Sequence, residues 1–316
     1  MCADKANAVT LPRISYLDLP DGSNIRHALW QTASGEARGT VVLLTGRTEY
    51  LEKYQEFAED WLARGFRVFS FDWRGQGLSS RFLTDHMKGH VPDYSYFVGD
   101  LSLWLDKIVK PAETGPTVLF AHSMGGLIAL RYLTEHPARF AAVVLSAPMV
   151  DINTGSWPRF AAEMVSRMAG AFGFRESYAF GQHDYDPATD AIFQDNAVSS
   201  NPLRFKRIHD GFAVNPELKL GGVTFGWLIA SFRAQALAAM PGALQDLRAP
   251  VLILAPEDDR LIPIDSQLVA CRRLHDCTAI TYPGARHDIT AERDEIRAKA
   301  WRDIDAFLTR ALAAGK

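Results

Sequence analysis

Nowhere in these 316 residues does an apolar run approach the length of a membrane span, so a spanning helix is not expected. Cysteine is scarce. Cys2, Cys271 and Cys277 form an odd, sparse set, too few for a disulfide framework and suited to free thiols in a reducing cytoplasm. Basic runs are missing and the net charge is −3, which argues against nucleic acid as a partner and against a strong electrostatic anchor, leaving at most peripheral membrane contact. The opening Met1 to Asn7 has no hydrophobic segment, so no signal peptide is expected, and Cys2 does not sit in a lipoprotein signal. Internal repeats and low-complexity linkers are absent too. What the chain does hold is apolar content: 47% hydrophobic residues over this length can bury a sizeable core without disulfides or metals. Composition carries no signal of oligomeric state.

The most informative stretch runs from Thr117 to Gly126, where apolar residues lead into a small-residue turn bearing Ser123 and then into a helix-like segment. A serine presented on a tight strand-to-helix turn sits in a strained backbone, so the residues two before and two after it must be small. Here they are Ala121 and Gly125. Ser123 is the candidate nucleophile, and a buried serine in an ordinary glycine-rich turn is the plain alternative.

A serine hydroxyl is a poor nucleophile at neutral pH and needs a base, and the base needs a group to orient it. On a sheet that presents serine this way, acid and histidine follow in that order, each in a loop just after a strand. Val251 to Ala255 reads as one such strand, followed by Glu257, Asp258 and Asp259. Cys277 to Tyr282 reads as a second, closed by Pro283 and Gly284, with His287 just beyond. Position distinguishes His287 among nine histidines. His122 adjoins the serine, and neighbouring side chains at such a turn are expected to point apart. His136 falls at a helix end before Pro137. His86 and His90 have metal-compatible spacing, but Lys88 and Gly89 interrupt any helix there, so no metal is expected. His27, His183, His209 and His275 read as structural.

An acyl-transfer intermediate also needs donors for its oxyanion. The amide of Met124, after the nucleophile, is one; the second belongs to the loop after the strand Val41 to Thr45, where Arg47 supplies the candidate amide. The Arg47 side chain either reaches an anionic headgroup or is a plain surface arginine. Asp72, after another strand, reads as a structural hydrogen-bonding group.

These pieces resemble a known family. Thr45 to Tyr54, Phe71 to Ser79, Ala121 to Gly126, Glu257 to Ile262 and Gly284 to Asp288 together look like an α/β-hydrolase of the monoacylglycerol lipase and lysophospholipase group, most like its bacterial lysophospholipase-like branch. The chain departs from many lipases of the group in having Thr45-Gly46 before the oxyanion residue and Ala121 at the start of the elbow. The resemblance implies Ser123 as nucleophile, Asp259 as acid, His287 as base, and the amides of Arg47 and Met124 as oxyanion hole. Asp259 is favoured over Asp258 and Glu257 because related hydrolases place the acid four residues before a proline, here Pro263.

The element pattern agrees with this fold. Strands and helices alternate from about residue 39 to residue 149, predicting a mostly parallel sheet with helices on both faces. Ile14 to Leu19 and Ile25 to Thr32 read as a hairpin turned at Asp21 and Gly22, and Lys53 to Arg64 as a helix aiming Phe57, Trp61 and Leu62 at the sheet. Residues 151–240 break the alternation and read as a helical cap on a core of residues 1–150 and 241–316. Two apolar groups recur there at helical spacing: Trp157, Phe160, Ala161, Met164, Met168 and Phe172, and Phe225, Trp227, Leu228, Ile229 and Phe232. Most are expected to dock the cap, with Trp157, Phe160, Met164 and Trp227 as candidates to line an acyl pocket beside Arg47.

The expected activity is therefore hydrolysis of the acyl ester of a single-chain lipid, a lysophospholipid or monoacylglycerol, through an acyl-enzyme and with no cofactor. An aminopeptidase or small-ester hydrolase on the same fold is the alternative enzyme. A non-catalytic binding protein with a degenerate triad is the alternative from another class.

Overall fold

The computed structural model describes residues 11–313. Eight strands form one sheet: β1 (Arg13–Asp18), β2 (Asn24–Trp30), β3 (Gly39–Leu44), β4 (Phe66–Phe71), β5 (Thr117–His122), β6 (Ala142–Ser146), β7 (Val251–Pro256) and β8 (Cys277–Tyr282). Their order is β1-β2-β4-β3-β5-β6-β7-β8, antiparallel at the β1–β2 and β2–β4 pairings and parallel from β4 through β8. The hairpin turns where Asp21 and Gly22 predict it, with Gly22 at φ 81°. Strands β3, β5, β6 and β7 are buried along their whole length because helices cover both faces.

The helices are α1 (Gln55–Ala63), α2 (Ser95–Trp104), α3 (Met124–Leu133), α4 (Arg159–Ala171), α5 (Pro187–Asp190), α6 (Pro202–Val214), α7 (Phe225–Ala238), α8 (Ile264–Arg272) and α9 (Asp294–Ala313). On one face, Phe57 and Trp61 of α1 meet Trp301 of α9 at ring-centroid separations of 5.0 Å each. The helix predicted from Lys53 is a short 3-10 turn, Leu51–Tyr54, that feeds into α1. On the other face, α2, α3 and α8 pack on Leu119, Val143 and Ile253. This is the α/β-hydrolase fold, with α4 to α7 inserted between β6 and β7 as cap helices.

Two expectations are corrected here. The thiols are not all free: Cys271, near the end of α8, and Cys277, opening β8, form a disulfide across a Cα–Cα distance of 5.4 Å. The short turn from α8 into β8 brings the two together, so cysteine scarcity does not argue for a reducing compartment. Cys2 lies outside the described residues. The second correction concerns α4. Both of its faces carry apolar residues, and the compact set wins the inside: Val165 and Ala169 pack on the core. Phe160, Met164, Met168 and Phe172 point outward, 70%, 54%, 52% and 75% exposed. They do not dock the cap. Among the described residues no helix is long and apolar enough to cross a membrane.

Candidate active site

Strand order places the site. From β3 the chain steps to β4 on one side and later to β5 on the other, so the loops leaving β3 and β5 diverge and open a crevice at their carboxyl ends. Ser123 stands at the end of β5 with φ 51° and ψ −118°, a conformation that ordinary side chains resist. The surroundings enforce it: the Ser123 amide donates to the Ser146 carbonyl of β6 at 3.0 Å, and its carbonyl accepts from Gly126 at 2.9 Å and Met149 at 2.9 Å. Gly125 must lack a side chain, because a Cβ there would lie 2.5 Å from the Thr45 carbonyl oxygen.

Ser123 Oγ lies 2.8 Å from His287 Nε2, and His287 Nδ1 lies 2.8 Å from Asp259 Oδ2. A carboxylate can only accept, so Nδ1 carries the proton and Nε2 is left to accept from the serine hydroxyl. The other Asp259 oxygen accepts from the amides of Leu261 at 2.8 Å and Ile262 at 2.9 Å, which holds the carboxylate in place. The Asp259 side chain is fully buried beneath the histidine, whereas Asp258 and Glu257 are exposed. The structure thus brings together Ser123, His287 and Asp259 and leaves the other two acids outside.

Met124 opens α3, so its amide has no intrahelical acceptor. Across from it, the loop after β3 carries Arg47 next to Thr48, whose φ of 61° is unusual for a β-branched residue. Thr48 Oγ1 donates to the Arg47 carbonyl at 2.5 Å. The loop is pinned from below by Glu49, which accepts from the Gly46 amide and from Tyr54 Oη at 2.5 Å. Lys53 pairs with Glu49 and, at 2.6 Å, with Asp288, the neighbour of His287. The loop that carries Arg47 and the loop that carries His287 are therefore tied by one buried ammonium.

Sequence reading missed this cluster, since Glu49, Lys53 and Asp288 look like ordinary surface charges. It also misplaced His122, whose ring turns inward and lies 4.8 Å from that of His287. His122 Nδ1 donates to the Ser146 carbonyl at 3.1 Å, and burial holds the imidazole below its usual pKa. Asp72 accepts from the amides of Leu51 and Leu78, each at 2.9 Å, and from Arg26 at 2.8 Å, a structural role.

Ser123 and His287 open into a cavity of about 940 Å³ between core and cap. Trp157, Val165, Phe212, Trp227, Leu228 and Phe232 contribute apolar walls. Arg47, Trp157 and Trp227 of the predicted pocket residues line it. Phe160 and Met164 do not, because they lie on the outward face of α4. His183 and His209, read as structural, also line the cavity, His209 sharing a 2.8 Å hydrogen bond with Tyr185.

A nucleophile-elbow serine on this sheet places the protein among the α/β hydrolases. The chain belongs to the serine aminopeptidase S33 family, whose model matches residues 35–294. It is 34% identical over 288 residues to lysophospholipase L2 of Escherichia coli (strain K12), covering 85% of this chain and 80% of that one. The Homo sapiens monoglyceride lipase is 26% identical over 312 residues, covering 95% and 93%. Among solved structures the chain is similar to a soluble variant of the Saccharomyces cerevisiae monoglyceride lipase in complex with a substrate analog, with a TM-score of 0.74 at 21% identity over 97% of this chain and 99% of that one.

Proposed function

We propose that this protein is a serine carboxylester hydrolase acting on a lipid with one acyl chain, a lysophospholipid or a monoacylglycerol. The observation that carries the reading is the hydrogen-bonded run from Asp259 through His287 to Ser123, ending in a largely apolar cavity of about 940 Å³. In the proposed reaction His287 Nε2 takes the Ser123 proton as Oγ attacks the ester carbonyl, and Asp259 stabilises the imidazolium. The amides of Arg47 and Met124 hold the oxyanion. His287 then protonates the leaving alcohol, and water, activated by the same nitrogen, releases the fatty acid. Each acyl methylene buried in the cavity contributes about 0.8 kcal/mol to binding. Residues 151–240 are assigned to the cap and residues 1–150 and 241–316 to the catalytic core, of which 1–10 and 314–316 lie outside the described residues.

Fatty-acid release should be compared for a lysophospholipid, a monoacylglycerol and a short p-nitrophenyl ester, the lipids matched in acyl chain. Serine-dependent release favouring the long-chain lipids is the expected result. Activity confined to the short ester would retain the triad and discard the lipid substrate. The peptidase alternative has a specific observation in its favour, since Asp190 and Asp195 also line the cavity and could hold a free amine. Hydrolysis of aminoacyl p-nitroanilides at rates above those of the lipids would select it.

The outward stripe of α4 supports peripheral membrane contact. Phe160, Met164, Met168 and Phe172 stand exposed along α4 and its C-terminal end, beside Arg167, which is ion-paired with Glu163, a pattern suited to the interface of a bilayer. Flotation with phosphatidylglycerol vesicles at low salt should recover the protein with the lipid. The Phe160→Glu/Phe172→Glu double variant should stay behind, and equal recovery of both would remove α4 as the contact.

A further inference from the structure

Among the described residues, Arg47 is a cation in the substrate cavity without an anion of its own. Its Nη2 donates to the Gly221 carbonyl, its Cζ lies 5.7 Å from the Trp227 ring centroid, and its Nε is buried with no hydrogen-bond partner among them. Burial pushes the guanidinium down to about 10, and the ionisable groups acting against that are the phenols of Tyr94 and Tyr178. Both phenols are pushed up by burial, so neither carries charge at neutral pH. Gly89 leaves the room the guanidinium occupies: a Cβ there would come within 2.9 Å of Nη2. An arginine has five N–H donors in a planar fork, and most of this fork is unspent. Buried guanidinium groups ordinarily pair with carboxylates, because desolvating the charge alone is costly. Here the Gly221 carbonyl and the Trp227 ring offset part of that cost, and an anion entering the cavity would offset more of it.

The position of the fork suggests which anion. The amide of Arg47 is the proposed oxyanion donor, so a single residue would face both the scissile carbonyl and whatever its side chain reaches. That side chain is about as long as the glycerol bridge between an acyl ester and the phosphorus of a lysophospholipid. We propose that the Arg47 guanidinium is an anion subsite that binds the phosphate of a single-chain phospholipid, so that phosphate-bearing acyl glycerols are preferred to uncharged ones. This rests on the ester-hydrolase reading of Ser123, His287 and Asp259.

The test uses 1-octanoylglycerol and 1-octanoylglycerol 3-phosphate below their aggregation concentrations, with the full chain and its Arg47→Met and Arg47→Lys variants. The readout is the ratio of kcat/KM for the two substrates, which cancels any loss common to both from disturbing the oxyanion loop. Wild type should favour the phosphate, Arg47→Met should lower the ratio by about 10- to 100-fold, and Arg47→Lys should keep part of it. A ratio unchanged in Arg47→Met overturns the subsite and leaves Arg47 as a strut to Gly221. Inhibition by inorganic phosphate as strong as that by glycerol 3-phosphate overturns the headgroup assignment in favour of a free-phosphate site. Calorimetry in the Ser123→Ala background reads the subsite without turnover: the phosphate lipid should bind more tightly than the neutral one, and Arg47→Met should abolish the difference. Absence of fatty-acid release from every substrate would count against the hydrolase reading, whereas release without phosphate preference would count against the subsite alone.

Discussion

Ser123→Ala is expected to lower kcat for ester hydrolysis by about four to six decades while the protein stays folded. Only the hydroxyl is removed; its partner His287 stays fixed by Asp259 at 2.8 Å, and the backbone of position 123 stays fixed by its amide bond to the Ser146 carbonyl at 3.0 Å. Residues that act as one unit lose their effect together, so adding Asp259→Asn to Ser123→Ala should cost little more, although Asp259→Asn alone should cost about four decades. Backbone strain provides a second readout. With φ at 51° and ψ at −118°, position 123 suits glycine better than any residue with a Cβ. Ser123→Gly should therefore be as inactive as Ser123→Ala but more stable than it, by about 1–3 kcal/mol. Both are read from steady-state kinetics and denaturant melts of the two variants. Turnover near normal in Ser123→Ala would overturn the nucleophile assignment, and equal stability of the two variants would show that the elbow stores no strain.

The residues that sequence singles out most easily are those whose chemistry is tied to local backbone. Ser123 announces itself because Ala121 and Gly125 must be small around a strained turn, and His287 and the acidic trio Glu257 to Asp259 because each follows a strand that ends abruptly; Asp259 is picked from that trio only by the family resemblance. The strand alternation is legible for the same reason, since strands covered on both faces leave uninterrupted apolar runs such as Val41 to Leu44. Residues joined only by the fold leave no such trace. Lys53 and Asp288 are 235 positions apart, and each alone has the appearance of a solvated charge. The stripe on α4 misleads because helical periodicity shows that an apolar face exists without showing which of two faces turns inward; Val165 and Ala169 take the core, while the larger Phe160 and Met164 are left outside. Cys271 and Cys277 escape notice because a compositional argument about thiols cannot see that the turn after α8 folds the start of β8 back beside the helix end.

Lys53→Met should destabilise the fold by about 3–5 kcal/mol, because it leaves two buried carboxylates without their shared cation. Glu49, His122 and Asp288 present polar atoms within 4.8 Å of one another, and Lys53 contacts both acids with its side chain only 5% exposed. The pH dependence follows from the directions of the shifts. Burial alone would raise the Asp288 carboxyl, but Lys53 overrides it and holds the group below its usual 3.8. That contribution is present above the unfolded value and is lost as pH falls through the lower folded one. Burial alone would lower the Lys53 ammonium, but Asp288 and Glu49 raise it above 10.5, so its contribution is present below that value and is lost only as pH rises through the raised one. In Lys53→Met, Asp288 keeps its burial without the cation, and burial favours its protonated form. The stability gap between wild type and variant should therefore narrow as pH falls from about 7 toward about 4.5, and denaturant melts across that range measure it. A gap that stays constant would assign Lys53 to packing alone. Neutralising the whole cluster in Glu49→Gln/Lys53→Met/Asp288→Asn should cost less than Lys53→Met by itself, because no buried charge is left unpaired. Its kcat should still fall, since a neutral carboxamide at position 49 accepts less strongly from the Gly46 amide than the Glu49 carboxylate does, and so loosens the loop whose Arg47 amide is the proposed oxyanion donor.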